Sequence, residues 1–101
     1  MQTPLQITFQ NVDHSDALET HIREKAAKLE QVFAGLIGCR VVVEQPGKHH
    51  QQGNPFNIRI DMTAPGKEIV VDRQENEDVY VAVRDAFDAA TRQLEDYARQ
   101  L

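Results

Sequence analysis

Only one cysteine, Cys39, stands among the 101 residues, so the chain can hold no internal disulfide. Its position at the head of a valine run reads as a small buried core residue, with a reactive thiol as the alternative. One cysteine is compatible with a reducing compartment. Also missing is any apolar stretch near the ~18 residues needed to cross a membrane. The opening Met1-Gln2-Thr3-Pro4-Leu5 lacks the basic and apolar regions of a signal peptide. A cytoplasmic protein with no membrane partner is expected.

Positive charge is scarce. Eleven Lys and Arg face sixteen Asp and Glu, a formal charge of −5. Nucleic-acid binders draw much of their affinity from neutralising phosphates. The whole-chain balance therefore weighs mildly against a nucleic-acid partner and moves the question to local patches; DNA is not expected as a partner. Chemical motifs are scarce too, with no phosphate loop, dinucleotide fingerprint, nucleophile elbow or zinc spacing. His14 and His21 are scattered. His49 and His50 are adjacent in a polar loop with no cysteine or third histidine near, and read as a solvated pair. No catalytic residue, metal or cofactor is expected, so the function should be binding.

What the chain does have is pattern. Leu5, Ile7 and Phe9 alternate with polar residues, the period of a half-buried strand. Ser15 is placed to cap a helix with Asp16 and Glu19 in its first turn. Leu18, Ile22, Ala26, Leu29 and Phe33 hold one face of that helix, and Gly35 and Gly38 are expected to end it. Cys39 to Glu44 predicts a second strand, Gln45 to Pro55 a polar loop, and Phe56 to Thr63 a third strand. Ala64-Pro65-Gly66-Lys67 suits a type II turn into a fourth strand over 68–74. Asn76 is the expected cap of a last helix, whose apolar face runs through Val79, Val83, Ala86, Phe87, Ala90, Leu94, Tyr97 and Leu101. Tyr80 and Tyr97 fall on or beside that stripe, so core packing is their default. One domain over 1–101 is expected: an α+β fold of order β-α-β-β-β-α, with a four-stranded mixed sheet and both helices on one face. The first strand–helix–strand step predicts a right-handed parallel crossover. Exposed sheet edges leave a homodimer possible.

The charged faces carry the functional signal. His21, Lys25 and Lys28 form a basic flank on the first helix. It reads as a phosphate-contacting edge or, more plainly, as a solvated flank in which Glu24 pairs with Lys28. In the last helix Arg84, Asp88, Arg92, Glu95 and Arg99 are spaced for a ladder of i, i+4 ion pairs. From Glu77 onward six acids face three arginines, a surface that repels phosphate.

Laid out in order, Leu5-Gln6-Ile7-Thr8, Ala17-Leu18, Lys25-Ala26-Ala27-Lys28-Leu29-Glu30-Gln31-Val32-Phe33, Val41-Val42-Val43-Glu44, Gly66-Lys67-Glu68-Ile69, Glu77-Asp78-Val79-Tyr80-Val81-Ala82-Val83 and Arg92-Gln93-Leu94 resemble the ribosome hibernation-promoting factor family, also described as ribosome-associated inhibitors or sigma-54 modulation proteins. That resemblance covers nearly the whole chain. It implies a fold like a double-stranded-RNA-binding domain, lodged on the small ribosomal subunit against ribosomal RNA and blocking translation without chemistry. By position it implies Lys25 and Lys28 as the first RNA contacts, Arg92 next, and Lys48 and His49 in a basic loop after the second strand. Ala89, Glu95 and Asp96 stand where the family usually carries lysine. This departure motivates an alternative, a diverged member that has lost RNA binding and docks a protein or serves stress regulation.

Overall fold

The structure, a computed structural model, describes residues 1–46 and 54–101. The chain runs β1 (Gln6–Gln10), α1 (Asp16–Val32), β2 (Gly38–Glu44), β3 (Phe56–Ala64), β4 (Lys67–Asn76) and α2 (Val79–Gln100). The strands form one sheet in the order β1-β2-β3-β4. β1 and β2 are parallel, since α1 carries the chain back between them. β2, β3 and β4 follow as antiparallel neighbours. The expected mixed sheet and element order are therefore present.

Local chemistry explains most boundaries. Ser15 has extended backbone, and its Oγ accepts from the Leu18 N–H at 3.2 Å, satisfying one of the open donors of the first turn of α1. Phe33 closes α1 with extended backbone, its N–H donating to the Leu29 carbonyl. No glycine performs that task. Gly35 lies in the following turn and Gly38 is already the first residue of β2, a correction to the expected glycine stop. Gly66, at φ +76°, supplies the left-handed position of the β3–β4 turn that a residue with Cβ adopts only with strain. Asn11 also has positive φ, and its side-chain N–H2 donates to the Gln45 carbonyl at 2.8 Å, tying the end of β1 to the end of β2.

The start of α2 corrects the expected cap. β4 pairs with β3 as far as Asn76, opposite Phe56, so the helix begins later. Asp78 is the cap: its Oδ1 accepts from the N–H groups of Tyr80 at 2.9 Å and Val81 at 3.4 Å. Asn76 instead folds the turn before it, accepting from the Asp78 N–H at 2.8 Å. A bulge interrupts the β3–β4 ladder, since Ile58 pairs with Gln74 but Ile60 with Val71, which places Asp72 and Arg73 opposite Arg59.

The core lies between one face of the sheet and the two helices. Leu18, Ile22, Ala26 and Leu29 from α1 meet Ala82, Val83, Ala86, Phe87, Ala90 and Leu94 from α2 over Val41, Val43, Ile58, Ile60, Met62, Ile69 and Val71 of the sheet. Each fully buried aliphatic side chain contributes roughly 1.5–3 kcal/mol. Cys39 belongs to this core, and burial, then the charge of Asp61, pushes its thiol up to about 12. It therefore remains a thiol at neutral pH, in keeping with the core reading. The opposite face of the sheet is open. There Arg59 bridges Asp61 at 3.0 Å and Asp72 at 3.5 Å, and Val70 is 41% exposed.

Two aromatic contacts fix the relation of the helices. His21 meets Tyr80 near the two N-termini, and Phe33 meets Tyr97 near the two C-termini. The helices therefore run side by side in the same direction.

Candidate nucleic-acid interface

Burial of Leu18, Ile22, Ala26 and Leu29 fixes the rotation of α1. With about 100° per residue, His21, Lys25 and Lys28 then share one flank of the helix. The His21–Tyr80 contact identifies it as the flank turned toward α2. Lys25 is half-buried and Lys28 is exposed. Among the described residues no ion pair involves either lysine, and the expected Glu24–Lys28 bridge does not form. Two cations on one flank are thus left to solvent.

The other flank of α1 is neutralised. Glu19 takes Arg23 at 2.8 Å and the His14 ring at 2.7 Å, and Glu30 pairs with the Met1 amino group. The bond with His14, then that with Arg23, holds the Glu19 carboxyl below its ordinary value. The asymmetry of α1 is therefore electrostatic as well as steric: pairs beside β1, free lysines beside α2.

α2 does not form the expected ladder. Arg84 takes its neighbour Asp85 at 3.1 Å and Arg99 takes Asp96, both on exposed surface where such pairs contribute little. Arg92 is exposed and enters no ion pair among the described residues. Its place on the helix differs from that of the lysines. Counting about 100° per residue from Tyr80, Arg92 lies roughly 120° around α2, whereas Arg84 lies only about 40° away. The structure therefore brings Lys25 and Lys28 together and leaves Arg92 on the outer surface. Arg84 is the α2 cation nearest the shared seam, a residue the sequence reading placed only in the ladder. Lys48 and His49 lie outside the described residues.

Tyr80 departs from its expected packing role. It is 43% exposed and leans on His21 with ring centroids 5.1 Å apart. Tyr97 does pack, edge-on to Phe33 at 5.6 Å, and its hydroxyl donates to the Pro65 carbonyl at 2.6 Å.

The concavities elsewhere are shallow, and neither of the two larger ones gathers more than one cation. A groove of about 460 Å³ on the open sheet face collects Arg40 with Asp61 and Glu68, beside Thr3, Gln6 and Thr63. Another, of about 620 Å³, is lined by Asn11, Val12, Asp13, Gln45 and Phe56. Among the described residues no group of three His, Cys, Asp or Glu is placed to hold a metal ion, and no helix is long and apolar enough to cross a membrane. Among the described residues, the seam flank carries two lysines of one helix that enter no ion pair.

Comparison with known proteins bears on this surface. The family model described as "Sigma 54 modulation protein / S30EA ribosomal protein" matches residues 5–101. The structure is similar to the crystal structure of the Thermus thermophilus Protein Y N-terminal domain, with a TM-score of 0.76, 24% identity, and coverage of 91% of this chain and 94% of that one. It is also similar to a ribosomal subunit interface protein from Coxiella burnetii, with a TM-score of 0.75, 20% identity, and coverage of 94% and 97%. At these identities the two likenesses show the fold. No curated protein matches by sequence.

Proposed function

The chain belongs to the ribosome-associated sigma 54 modulation protein / S30EA ribosomal protein family, and from that premise we propose that it binds the small ribosomal subunit through ribosomal RNA and inhibits translation by occupancy. The observation that carries this reading is the pair Lys25 and Lys28, free of ion pairs among the described residues, on the α1 flank that faces α2. The opposite flank of the same helix carries acids already paired with Arg23, His14 and the amino terminus. Phosphates approaching the seam meet unneutralised cations, and each contact releases counterions as it forms. Arg84 extends the contact from α2 after exchanging Asp85 for a phosphate, whereas Arg92, on the outer surface of that helix, lies outside it. The action takes place in the cytoplasm and needs no bond-making chemistry.

Cell-free translation tests the inhibitory part. Adding the protein is expected to lower output in proportion to subunit occupancy, and the double substitution Lys25→Glu, Lys28→Glu is expected to relieve it. Full inhibition by the double variant would refute the assigned surface.

A second reading is favoured by the six acids from Glu77 onward: a member of the family that has given up RNA and docks a basic protein partner on the outer face of α2. It predicts no dependence on Lys25 and Lys28 and a loss of partner binding when Asp88 and Glu95 become lysine.

A further inference from the structure

Phosphate attraction leaves one feature of the helix seam unused. Tyr97 shows how a tyrosine is built into this core, with its ring against Phe33 and its hydroxyl bonded to the Pro65 carbonyl. Tyr80, at the other end of α2, is not among the residues packed on the core, and 43% of it faces solvent. Its ring is held by His21 at 5.1 Å with the planes inclined at 59°, which supports it from one side. The result is an aromatic step at the mouth of the seam. Lys25 follows His21 one turn along the same flank and Lys28 about two turns along.

A supported aromatic surface leading into a line of free cations is what a single-stranded nucleic acid requires: a ring face for an unstacked base and positive charge for the phosphates that follow it. The surrounding acids set the direction. Glu77 and Asp78 precede Tyr80 and repel phosphate from the outer end of the seam, whereas Lys25 and Lys28 draw it inward. We propose that His21 and Tyr80 form a stacking platform for an unpaired RNA base, whose strand continues along Lys25 and Lys28. A continuous duplex, with its bases paired and stacked, cannot use such a platform, so the partner is single-stranded, bulged or looped RNA.

This deepens the ribosomal reading and rests on it for the biological source of the strand, but the two are tested separately. In one arm, the full chain is titrated with short single-stranded oligoadenylate and with an RNA duplex while the ring resonances of His21 and Tyr80 are followed by NMR. In the other, small-subunit affinity is measured across a salt series for wild type, Tyr80→Leu and Tyr80→Phe, with thermal midpoints read alongside. The single strand should shift both rings upfield and the duplex should not. Tyr80→Leu should lose roughly 5- to 150-fold in affinity, the range for removing one base–aromatic stack. That loss should be equal at every salt concentration, because stacking releases no counterions, and Tyr80→Phe should bind like wild type.

Unmoved rings, an equal loss in both variants, or a loss that shrinks as salt rises would overturn the platform. Subunit binding with unmoved rings would sink the platform and leave the ribosomal reading standing. Shifted rings without subunit binding would do the reverse. Shifts confined to other residues would mean that the RNA binds elsewhere.

Discussion

Removing the Asp78 carboxylate tests the reasoning about α2 at the residue where sequence and structure disagree. Asp78 accepts two N–H groups that otherwise have no partner in the first turn, and it places a negative charge at the positive end of the helix dipole. Loss of a capping side chain costs about 1 kcal/mol, and loss of the charge adds roughly 0.3–1 kcal/mol. Asp78→Ala should therefore destabilise the protein by about 1.5 kcal/mol. At about 4–8 °C per kcal/mol for a domain of this size, the thermal midpoint should fall by roughly 6–12 °C. Asp78→Ser keeps an acceptor oxygen and should recover most of that loss. Asn76→Ala removes one exposed turn bond and should cost less than Asp78→Ala. Circular dichroism melts of the three variants provide the test. An inverted order, with Asn76→Ala the more damaging, would make Asn76 the true cap and refute the assignment. Asp78→Ser also removes a negative charge beside Tyr80, so its affinity for RNA should rise while its fold is kept.

Two further predictions concern titratable groups. Cys39, with its thiol pushed up to about 12, should resist disulfide reagents in the native protein at mildly alkaline pH and react quickly in denaturant. Rapid native labelling would contradict its place in the core. Glu19, held below its ordinary value by His14 and Arg23, contributes stability that is fully present above the ordinary carboxylate range. That contribution is lost as pH falls through the lowered value. Denaturant melts of wild type and Glu19→Gln should therefore differ at neutral pH and converge in acid, and a difference that persists in strong acid would contradict the pairing.

Much of this molecule could be read before its structure was known, for identifiable reasons. The alternation of Ile58, Ile60 and Met62 and the stripe from Leu18 to Leu29 are local patterns, and both reappear as buried faces. Ser15 acts through its own hydroxyl on an N–H three residues on, and Gly66 through its own backbone, so their roles were visible in place. The cap of α2 was not visible, because Asn76 and Asp78 are equally good capping residues. The choice between them is made by β3, whose Phe56 keeps Asn76 in the sheet. The bulge at Asp72 and Arg73 is likewise a property of two strands together.

The candidate site divides in the same way. Lys25 and Lys28 share a flank by periodicity alone. That Arg92 lies away from that flank, and that Tyr80 is a supported exposed ring, depends on how α2 sits beside α1. The ion-pair ladder failed because exposed arginines choose among several carboxylates of nearly equal energy. Arg84 takes the adjacent Asp85 and Arg99 takes Asp96.

The most direct test of the central claim is sucrose-gradient sedimentation of small ribosomal subunits with the purified protein over a salt series. The protein should migrate with the subunits at about 50 mM salt and dissociate as salt approaches about 200 mM. Lys25→Glu, Lys28→Glu should flatten the dependence of log affinity on log salt by about 1.5 to 2 units. Wild-type protein left at the top of the gradient at the lowest salt would contradict ribosomal RNA as the partner of the helix seam.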